Sequence, residues 1–310
     1  MTCNRRRFLQ SGALLALGSG LACRKTERPW NGFRYAMCNE SMQGMAWEDQ
    51  CRLVAGAGFT GIEIAPFTLV EHGVEELTSV HRREMVRAMR NHGLSCAGLH
   101  WLLVAPPAGL HCTTDDVTVR NRTWEYVHRL IDFCSDLGGQ VMVFGSPKQR
   151  SASDAGISVT EAVKRLSDGL SGCADHAAKN KVKILLEPLD RSQTDVINTL
   201  AQALEVVHAV QHPAIQTMFD FHNTPDETEP LDALVKKYYP FIHHVHVQEM
   251  NGKHLGTGSA ANEFGAIFQT LKDLRYHQWI SLEVFDFTPG AKTIAGESIK
   301  VLRQLESNLS

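Results

Sequence analysis

Short apolar runs alternate with longer amphipathic segments from residue 33 to the end of the chain. The apolar runs predict strands at 33–38, 61–64, 94–100, 140–145, 183–187, 216–220, 241–248 and 279–285. The amphipathic segments predict helices at 47–55, 80–91, 120–137, 159–180, 200–210, 231–239, 263–274 and 294–305. In the segment 159–180, apolar side chains at 162, 163, 166, 170 and 174 follow the period of a helix.

The order of these elements indicates a barrel. The strands are apolar runs rather than alternating patterns, which is typical of a parallel sheet that is buried on both faces. Eight strand–helix units in roughly 280 residues match the size of a (β/α)8 barrel, the TIM-barrel fold. A doubly wound open sheet would carry a glycine-rich phosphate turn after its first strand, and none follows residues 33–38. The glycine pattern at 56–61 precedes a strand instead, so it predicts a helix stop and a turn.

Composition and charge narrow the range of functions. The chain has 310 residues, of which 43% are hydrophobic and 21% are charged, and this is typical of a globular protein. The formal net charge is −3, so the chain lacks the broad positive surface that binds nucleic acid, and no nucleic-acid partner is predicted. The eight cysteines form no CxxC pair, which predicts scattered buried thiols, with an isolated disulfide as the alternative.

The first 32 residues are predicted to be an export signal and a linker, and residues 33–310 are predicted to be one catalytic barrel domain. Three arginines at 5–7 precede an apolar stretch at 11–22 that is too short to span a bilayer. This order resembles a twin-arginine signal and predicts a periplasmic protein. Gly20-Leu-Ala-Cys23 resembles a degenerate lipobox, so lipidation of Cys23 is the one predicted attachment to a membrane. Ordinary signal-peptidase cleavage just before Cys23 is the alternative.

Four of the predicted strands end in a side chain that can bind a metal ion. These side chains are Glu187, Asp220, His246 and Glu283. In a (β/α)8 barrel the C-terminal ends of the strands meet at one mouth, where the catalytic residues lie. Three carboxylates and one imidazole suit Mn²⁺, Mg²⁺ or Co²⁺, and the lack of a thiolate among them argues against a structural zinc site. The sequence therefore predicts one divalent ion at the mouth of the barrel.

The motifs around these residues carry a family resemblance. They are Leu186-Glu-Pro-Leu-Asp190, Phe219-Asp-Phe-His222, His244-Val-His-Val-Gln-Glu249 and Leu282-Glu-Val-Phe285. Together they resemble the xylose-isomerase-like superfamily of sugar isomerases and epimerases, most closely the ketose 3-epimerases and hydroxypyruvate isomerases. The resemblance implies that the four strand-end residues bind one divalent ion, with Mn²⁺ preferred over Mg²⁺ or Co²⁺. It also implies that Glu187 and Glu283 are the catalytic acid/base pair, and that the protein is a homodimer or homotetramer.

Neighbouring residues are predicted to complete a site for a sugar substrate. They are His222, Glu249, Lys253, His254, His100 and Glu63. The ketose epimerases place a substrate-binding histidine three residues after their aspartate, whereas His222 is two residues after Asp220. They also carry a glutamate six residues after the one that corresponds to Glu187, where this chain has Gln193, and this departure argues against a free ketohexose. The loop at 146–150 carries two cations and is predicted to be solvated.

These features favour an enzyme. A cation that holds a developing enediolate, together with one carboxylate that removes a proton and one that returns it, would epimerise or isomerise a sugar. We therefore expect a metal-dependent isomerase or epimerase that acts on an unphosphorylated sugar or keto-sugar. The alternatives are a 3-keto-glycoside lyase or hydrolase with the same residues, and a non-catalytic periplasmic sugar-binding lipoprotein. The acidic charge and the export signal disfavour a DNA-repair nuclease built on a similar barrel.

Overall fold

Eight parallel strands close into a barrel in the computed structural model, which describes residues 30–310. Each strand pairs with its neighbours in sequence, and the eighth strand pairs with the first. The strands are β1 (Arg34–Cys38), β2 (Gly61–Ile64), β3 (Ser95–Leu99), β4 (Val141–Phe144), β5 (Lys183–Leu186), β6 (Ile215–Asp220), β7 (Ile242–Val247) and β8 (Trp279–Leu282). The prediction of a (β/α)8 barrel is confirmed.

Helices alternate with the strands and form the outer layer of the barrel. They are α1 (Trp47–Ala57), α2 (Ser79–Asn91), α3 (Val117–Asp136), α4 (Pro147–Arg150), α5 (Ala152–Ala155), α6 (Val159–Lys179), α7 (Leu200–Val210), α8 (Leu231–Tyr238), α9 (Ala260–Glu263), α10 (Gly265–Asp273) and α11 (Ala291–Ser307). The short helices α4, α5 and α9 lie in the loops after β4 and β7, at the same end of the barrel. Short 3-10 turns lie at Glu40–Met42, Pro66–Thr68, Val74–Glu76 and Tyr239–Phe241.

Side-chain caps decide where several helices begin. The Asp116 carboxylate accepts hydrogen bonds from the backbone N–H groups of Thr118 and Val119, so α3 begins at Val117. The predicted start at residue 120 was three residues late, because apolar periodicity does not register a cap. The Ser158 hydroxyl accepts a hydrogen bond from the N–H of Glu161 and fixes the start of α6 at Val159, as predicted.

The alternation of side chains along each strand separates the barrel interior from the layer of helices. On β6, Phe219 points outward into the main hydrophobic core, whereas Met218 and Asp220 share the inner face. Met218 packs inside the barrel in a separate apolar cluster with Val141, Val143 and Leu185 from the two preceding strands. The same alternation places the side chains of Asp220 and His246 on the inner face near the C-terminal ends of β6 and β7. Whether a residue occupies an odd or an even position along its strand therefore decides whether it reaches the mouth of the barrel.

The predictions about the cysteines and about the N-terminal signal have different outcomes. The six cysteines within residues 30–310 are all free and buried, in agreement with the prediction of scattered thiols. Within the same residues, no helix combines the length and the apolar composition that crossing a bilayer requires. Residues Gly32–Ser310 form one compact unit. The predicted signal and Cys23 lie outside the described residues, so export and lipidation stay predictions.

Candidate active site

Four strand-end side chains converge at the mouth of the barrel. Asp220 and His246 lie on β6 and β7, while Glu187 and Glu283 directly follow β5 and β8. One ligand atom of each lies within 4.8 Å of the others. The carboxylates are at most 5% exposed and the imidazole is fully buried. The barrel thus brings together the four residues that were predicted to bind a metal ion, although Glu187 and Glu283 are far apart in the sequence.

The electrostatics of this cluster suit a divalent cation. Burial and the neighbouring Glu283 raise the pKa of Glu187 well above its usual value, and burial and Glu283 raise the pKa of Asp220 to about 6. The Oε1 atom of Glu187 is buried and finds no hydrogen-bond partner among the described residues. Crowded carboxylates with an unpartnered oxygen are costly unless a cation offsets their charge. The donor set of carboxylates and one imidazole fits Mn²⁺ or Mg²⁺.

The imidazole of His246 is oriented from behind by a buried carboxylate. Its Nε2 lies 3.0 Å from Oε1 of Glu63, and its Nδ1 lies 3.0 Å from Oε2 of Glu283. The other oxygen of Glu63 lies 2.7 Å from Nε2 of His244. Burial alone would raise the pKa of Glu63, but the two histidines outweigh it and hold that pKa well below the usual range. An ionised Glu63 that accepts the Nε2–H of His246 leaves Nδ1 facing the cluster, which is the usual support for a metal-binding histidine.

A second buried pair lies beside this arrangement. The Nε2 atom of His100 is 2.6 Å from Oε1 of Glu40, and neither residue is more than 3% exposed. The imidazole of His100 packs edge-on against that of His246, with ring centroids 5.9 Å apart. Its Nδ1 lies 3.6 Å from Oε1 of Glu63. Sequence reasoning missed Glu40, although its position two residues after β1 was a signal that could have identified it.

A cavity of about 680 Å³ opens above the cluster. Its apolar lining consists of Trp101, Val104, Pro147, Leu189, Phe285 and Phe287. Its polar lining consists of Ser146, Lys148, Gln149, Glu187, Asp190, Ser192, Gln193, His222, Asn223 and Glu283. Both glutamates that were predicted as the acid/base pair therefore face the same space. A ligand in this cavity would contact the four-residue cluster at its inner end and the loops at its outer end.

Of the six residues predicted to contact a sugar, His222 is the one that lines this cavity. The structure corrects the expected position of Glu63 and His100: both are fully buried behind His246, because they share the inner face of the barrel with it. Their hydrogen bonds point to other side chains of the protein rather than to the cavity. Glu63 binds His246 through a hydrogen bond, and His100 packs against the same imidazole on the side away from the cavity.

The remaining three predicted residues lie in the loop between β7 and α9, away from the cavity lining. Both carboxylate oxygens of Glu249 accept backbone N–H groups of the same loop, those of Gly256 at 2.9 Å and Ala260 at 3.0 Å. His254 is buried, and its Nε2 lies 3.0 Å from Oε2 of Glu297 on α11. Lys253 is exposed. Glu249 thus shapes the loop, and contact of these three residues with a sugar stays a prediction.

Three polar side chains that line the cavity form hydrogen bonds to the cluster, directly or through one another. They were not among the predicted site residues. The indole Nε1–H of Trp101 donates to Oε1 of Glu283 at 2.6 Å. The amide of Asn223 donates to Oδ2 of Asp220 at 2.5 Å, and the amide of Gln193 donates to Oδ1 of Asn223 at 2.6 Å. These bonds fix the second oxygens of two predicted ligands. Their positions just after strand ends were the available signal, but amides and indoles alone indicate no metal.

The loop after β4 differs from its prediction. Residues Pro147–Arg150 form α4, and Arg150 is fully buried rather than solvated, with its guanidinium donating to the carbonyls of Phe144 and Ile197 at 3.2 and 3.3 Å. Burial lowers the pKa of Arg150 to about 10, against the opposing effect of Glu187. A cation held here offsets part of the negative charge of the cluster.

Gly145 lies next to that loop, and the carboxylate of Glu187 fills the space beside it. A Cβ atom built on Gly145 would lie 2.2 Å from Oε2 of Glu187, far inside van der Waals contact. A side chain at residue 145 would therefore force the Glu187 carboxylate to shift. The strand-end glycine is part of the site although it carries no functional group.

Comparison with known proteins places this architecture in a family. Residues 51–305 match the family described as xylose isomerase-like TIM barrel. The chain is 26% identical over 267 residues to the "Probable ketose 3-epimerase" of Synechocystis sp., which covers 80% of this chain and 86% of that protein. It is 26% identical over 259 residues to the D-psicose 3-epimerase of Agrobacterium fabrum, which covers 81% of this chain and 83% of that protein.

A solved structure shows the same fold. The apo 3-keto-D-glucoside 4-epimerase of E. coli superposes with a TM-score of 0.74 at 20% identity, over 87% of this chain and 99% of that chain. At that identity the likeness establishes the architecture alone. Because the family match extends over most of the chain, from residue 51 to residue 305, this protein belongs to the xylose isomerase-like TIM barrel family.

Proposed function

We propose that the protein is a divalent-metal-dependent sugar epimerase or isomerase that acts on an unphosphorylated sugar or keto-sugar. One observation carries the proposal: Glu187 and Glu283 converge on the same cluster and both open into the same cavity. A protein that only bound a sugar would need no carboxylate pair there. The relatives reported above are named as epimerases of ketoses and of a 3-keto-glucoside, which supports the same class of reaction.

Glu187, Asp220, His246 and Glu283 would hold the ion, with Mn²⁺ as our preferred candidate and Mg²⁺ or Co²⁺ as alternatives. When bound, such an ion stabilises negative charge on the oxygen atoms of an enediolate. The protein groups supply the proton transfer. The two glutamates differ in proton affinity, because burial and Glu283 raise the pKa of Glu187, whereas His246 and Trp101 outweigh burial and lower the pKa of Glu283. A pair of carboxyl groups with separated pKa values is the usual arrangement of a catalytic acid and base.

In this proposal Glu283 removes the proton from the carbon next to the carbonyl, and Glu187 returns a proton to the opposite face. Trp101 holds Glu283 in place through its 2.6 Å hydrogen bond. Return of the proton to the opposite face inverts the carbon and gives an epimer, while return to the neighbouring carbon gives an isomer. The indole and phenyl groups of the cavity wall would exclude water from the deprotonated substrate.

The charge around the cavity supports an unphosphorylated substrate. Lys148 is the single lysine or arginine among the residues that line the cavity. Arg150 is directed into the protein, where its N–H groups already bond to backbone carbonyls. A phosphate would therefore meet more carboxylates than cations. A neutral sugar would bind through hydroxyl and carbonyl oxygens instead.

We also propose that residues 1–32 export the protein by the twin-arginine route to the periplasm, where Cys23 is the candidate site of lipidation. The arginines at 5–7 and the apolar stretch at 11–22 support this proposal. Fractionation of cells that express the full chain tests it. A cytoplasmic wild-type protein, or export that persists when Arg5 and Arg6 are both changed to lysine, would contradict it.

The experiment that tests the function combines metal analysis with isotope exchange. Purified protein is analysed for Mn, Mg, Co and Zn, and then incubated in D₂O with a panel of free ketoses and 3-keto-glycosides. We expect deuterium at the carbon next to the carbonyl together with epimer or isomer formation, and at least a 100-fold loss in Glu187→Gln and Glu283→Gln. Release of the aglycone would point to the lyase instead. Normal ligand binding without any exchange in the wild type would support a sugar-binding protein.

A further inference from the structure

The outer part of the cavity exposes large aromatic side chains to solvent. Phe285 and Phe287 follow β8, and they are 38% and 40% exposed. Both line the same cavity as Glu187 and Glu283. Aromatic rings left open beside a catalytic cluster usually mark a contact surface for a ligand, because water contact with so much apolar surface is unfavourable.

These rings extend the apolar wall from the reacting end of the cavity to solvent. The indole of Trp101 lies 6.1 Å from the ring of Phe285, centroid to centroid, and it stacks on Phe67 at 5.8 Å. Its N–H is fixed on Glu283. We call Trp101, Phe285 and Phe287 the aromatic rim. The rim begins in direct contact with a proposed catalytic residue and ends at the surface.

The position of the rim is set by the backbone rather than by loose side chains. The N–H of Phe285 donates to the carbonyl of Gly252 at 2.8 Å, which ties the loop after β8 to the loop after β7. The ring of Phe285 packs edge-on against His222, with centroids 5.2 Å apart. A Cβ on Gly252 would lie 3.2 Å from the ring, so the two loops are already close-packed there. Phe285 is therefore held in place by the packing of these two loops.

Part of the polar wall is already engaged in hydrogen bonds within the protein. The side chain of Gln193 donates to both Asp190 and Asn223 at 2.6 Å, and Asn223 donates to Asp220. Asp190 also accepts the N–H of Ser192 at 2.8 Å. These groups bind one another, which leaves Lys148, Gln149 and His222 as the polar side chains of this wall that face a ligand without such a network. An apolar group that extends beyond the cluster would instead contact the aromatic rim.

We infer that the aromatic rim binds the aglycone of a glycoside, so that the preferred substrates are keto-glycosides with an aryl aglycone rather than free ketoses. The inference rests on the proposed function, because it assumes that the keto-sugar ring occupies the inner end of the cavity. A cavity of about 680 Å³ lies within the range of about 300–1,000 Å³ that is typical of sites for larger, drug-sized ligands. A monosaccharide at the metal cluster would leave the rim uncovered, whereas an aryl group on its anomeric oxygen would cover it.

The test compares phenyl and methyl 3-keto-glucosides as substrates for deuterium exchange in D₂O. The quantity measured is the ratio of kcat/KM for the phenyl compound to that for the methyl compound. Burial of a phenyl group against aromatic rings predicts a ratio of about ten or more in the wild type. Phe287→Ala should lower the ratio, because it removes the outermost of the three rings that the phenyl group would contact. Phe287 is 40% exposed, so we expect the variant to fold. Phe241→Ala is the matched control, since this half-buried phenylalanine lies at the start of β7, at the other end of the barrel.

A second measurement separates this inference from the proposed function. Calorimetry compares the binding of unreactive phenyl and methyl glucosides to the wild type and to Phe287→Ala. If no keto-sugar shows exchange but a phenyl preference in binding is lost in Phe287→Ala, the rim assignment stands and the proposed epimerase fails. Equal ratios in the wild type and the variant overturn the rim assignment. A change of oligomeric state in Phe287→Ala, with an unchanged ratio, would show that the rim contacts a second copy of the chain and would also overturn it.

Discussion

The support of His246 by Glu63 makes the metal affinity depend on a residue that would not contact the ion. In Glu63→Gln the side chain keeps its size but loses its charge, and its amide N–H₂ replaces one oxygen acceptor. One of the two imidazoles, at 3.0 Å from His246 or 2.7 Å from His244, would then face a donor instead of an acceptor. In either orientation His246 loses its ionised acceptor, because an amide oxygen or an amide N–H₂ replaces the carboxylate that holds its Nε2–H and orients Nδ1 toward the cluster.

The expected magnitude follows from the geometry of these bonds. Loss of a hydrogen-bond partner behind a metal-binding histidine typically weakens the metal affinity by about 10–100-fold. This factor corresponds to about 1.4–2.8 kcal/mol, similar to the roughly 1.5–3 kcal/mol of one hydrogen bond to a charged group. Since Glu63 is fully buried, solvent screening does not reduce the effect. We therefore expect the Kd for Mn²⁺ to rise by about 10–100-fold in Glu63→Gln.

Calorimetric titration of Mn²⁺ into metal-free protein measures this change directly. Glu48→Gln is the matched control, because Glu48 also pairs with a histidine, His92, at 2.7 Å, but on the outer helices and half exposed. Circular dichroism establishes that both variants fold. A Kd for Glu63→Gln within about threefold of the wild type, in a folded protein, would refute the role assigned to this carboxylate.

Two further predictions concern the surroundings of the cavity. Gly145→Ala places a Cβ where Oε2 of Glu187 lies, so we expect at least about a 100-fold loss of isotope exchange, with a melting temperature near that of the wild type; unchanged exchange would contradict this. Burial alone would raise the pKa of Asp195, but hydrogen bonds from the N–H groups of Ala152 and Ser153 lower it. Its contribution to stability is therefore present above the unfolded-state pKa of about 3.9 and is lost as the pH falls through the lower folded-state pKa. Urea unfolding should show Asp195→Ala less stable by about 1 kcal/mol at pH 7 and a smaller difference near pH 3; equal differences at both values would exclude the ionised form as the cause.

The position of the four-residue cluster could be predicted because it depends on features that are local in sequence. Four of the strands are apolar runs that end in, or are directly followed by, a carboxylate or an imidazole, and parallel strands in a barrel bring those ends to one mouth. Strand parity then fixes which side chains point inward, so Asp220 and His246 meet Glu187 and Glu283 without any long-range information. The start of α3 was predicted three residues late, since the Asp116 cap that sets it is one hydrogen-bonding side chain rather than a repeated pattern.

The predicted sugar contacts depended on distances between loops, and sequence does not encode these distances in a readable way. Glu249 and Glu63 are both carboxylates near strand ends, yet one bonds to loop N–H groups and the other to buried imidazoles. Arg150 resembles a solvated loop cation in sequence, but the turn of α4 directs it inward to two carbonyls. The chemistry of a charged side chain is decided by the partner that its burial provides.

The sequence by itself determined the barrel, the order of its strands and the four side chains at its mouth, because each follows from a repeated local pattern of apolar and polar residues. The tertiary structure decided which residues support that cluster and which line the cavity. Glu63, Trp101 and Phe287 come from different strands and loops. Glu63 lies 3.0 Å from His246, Trp101 lies 2.6 Å from Glu283, and Phe287 lines the same cavity as Glu283. Such distances arise from packing between segments far apart in the chain, and no local pattern carries them.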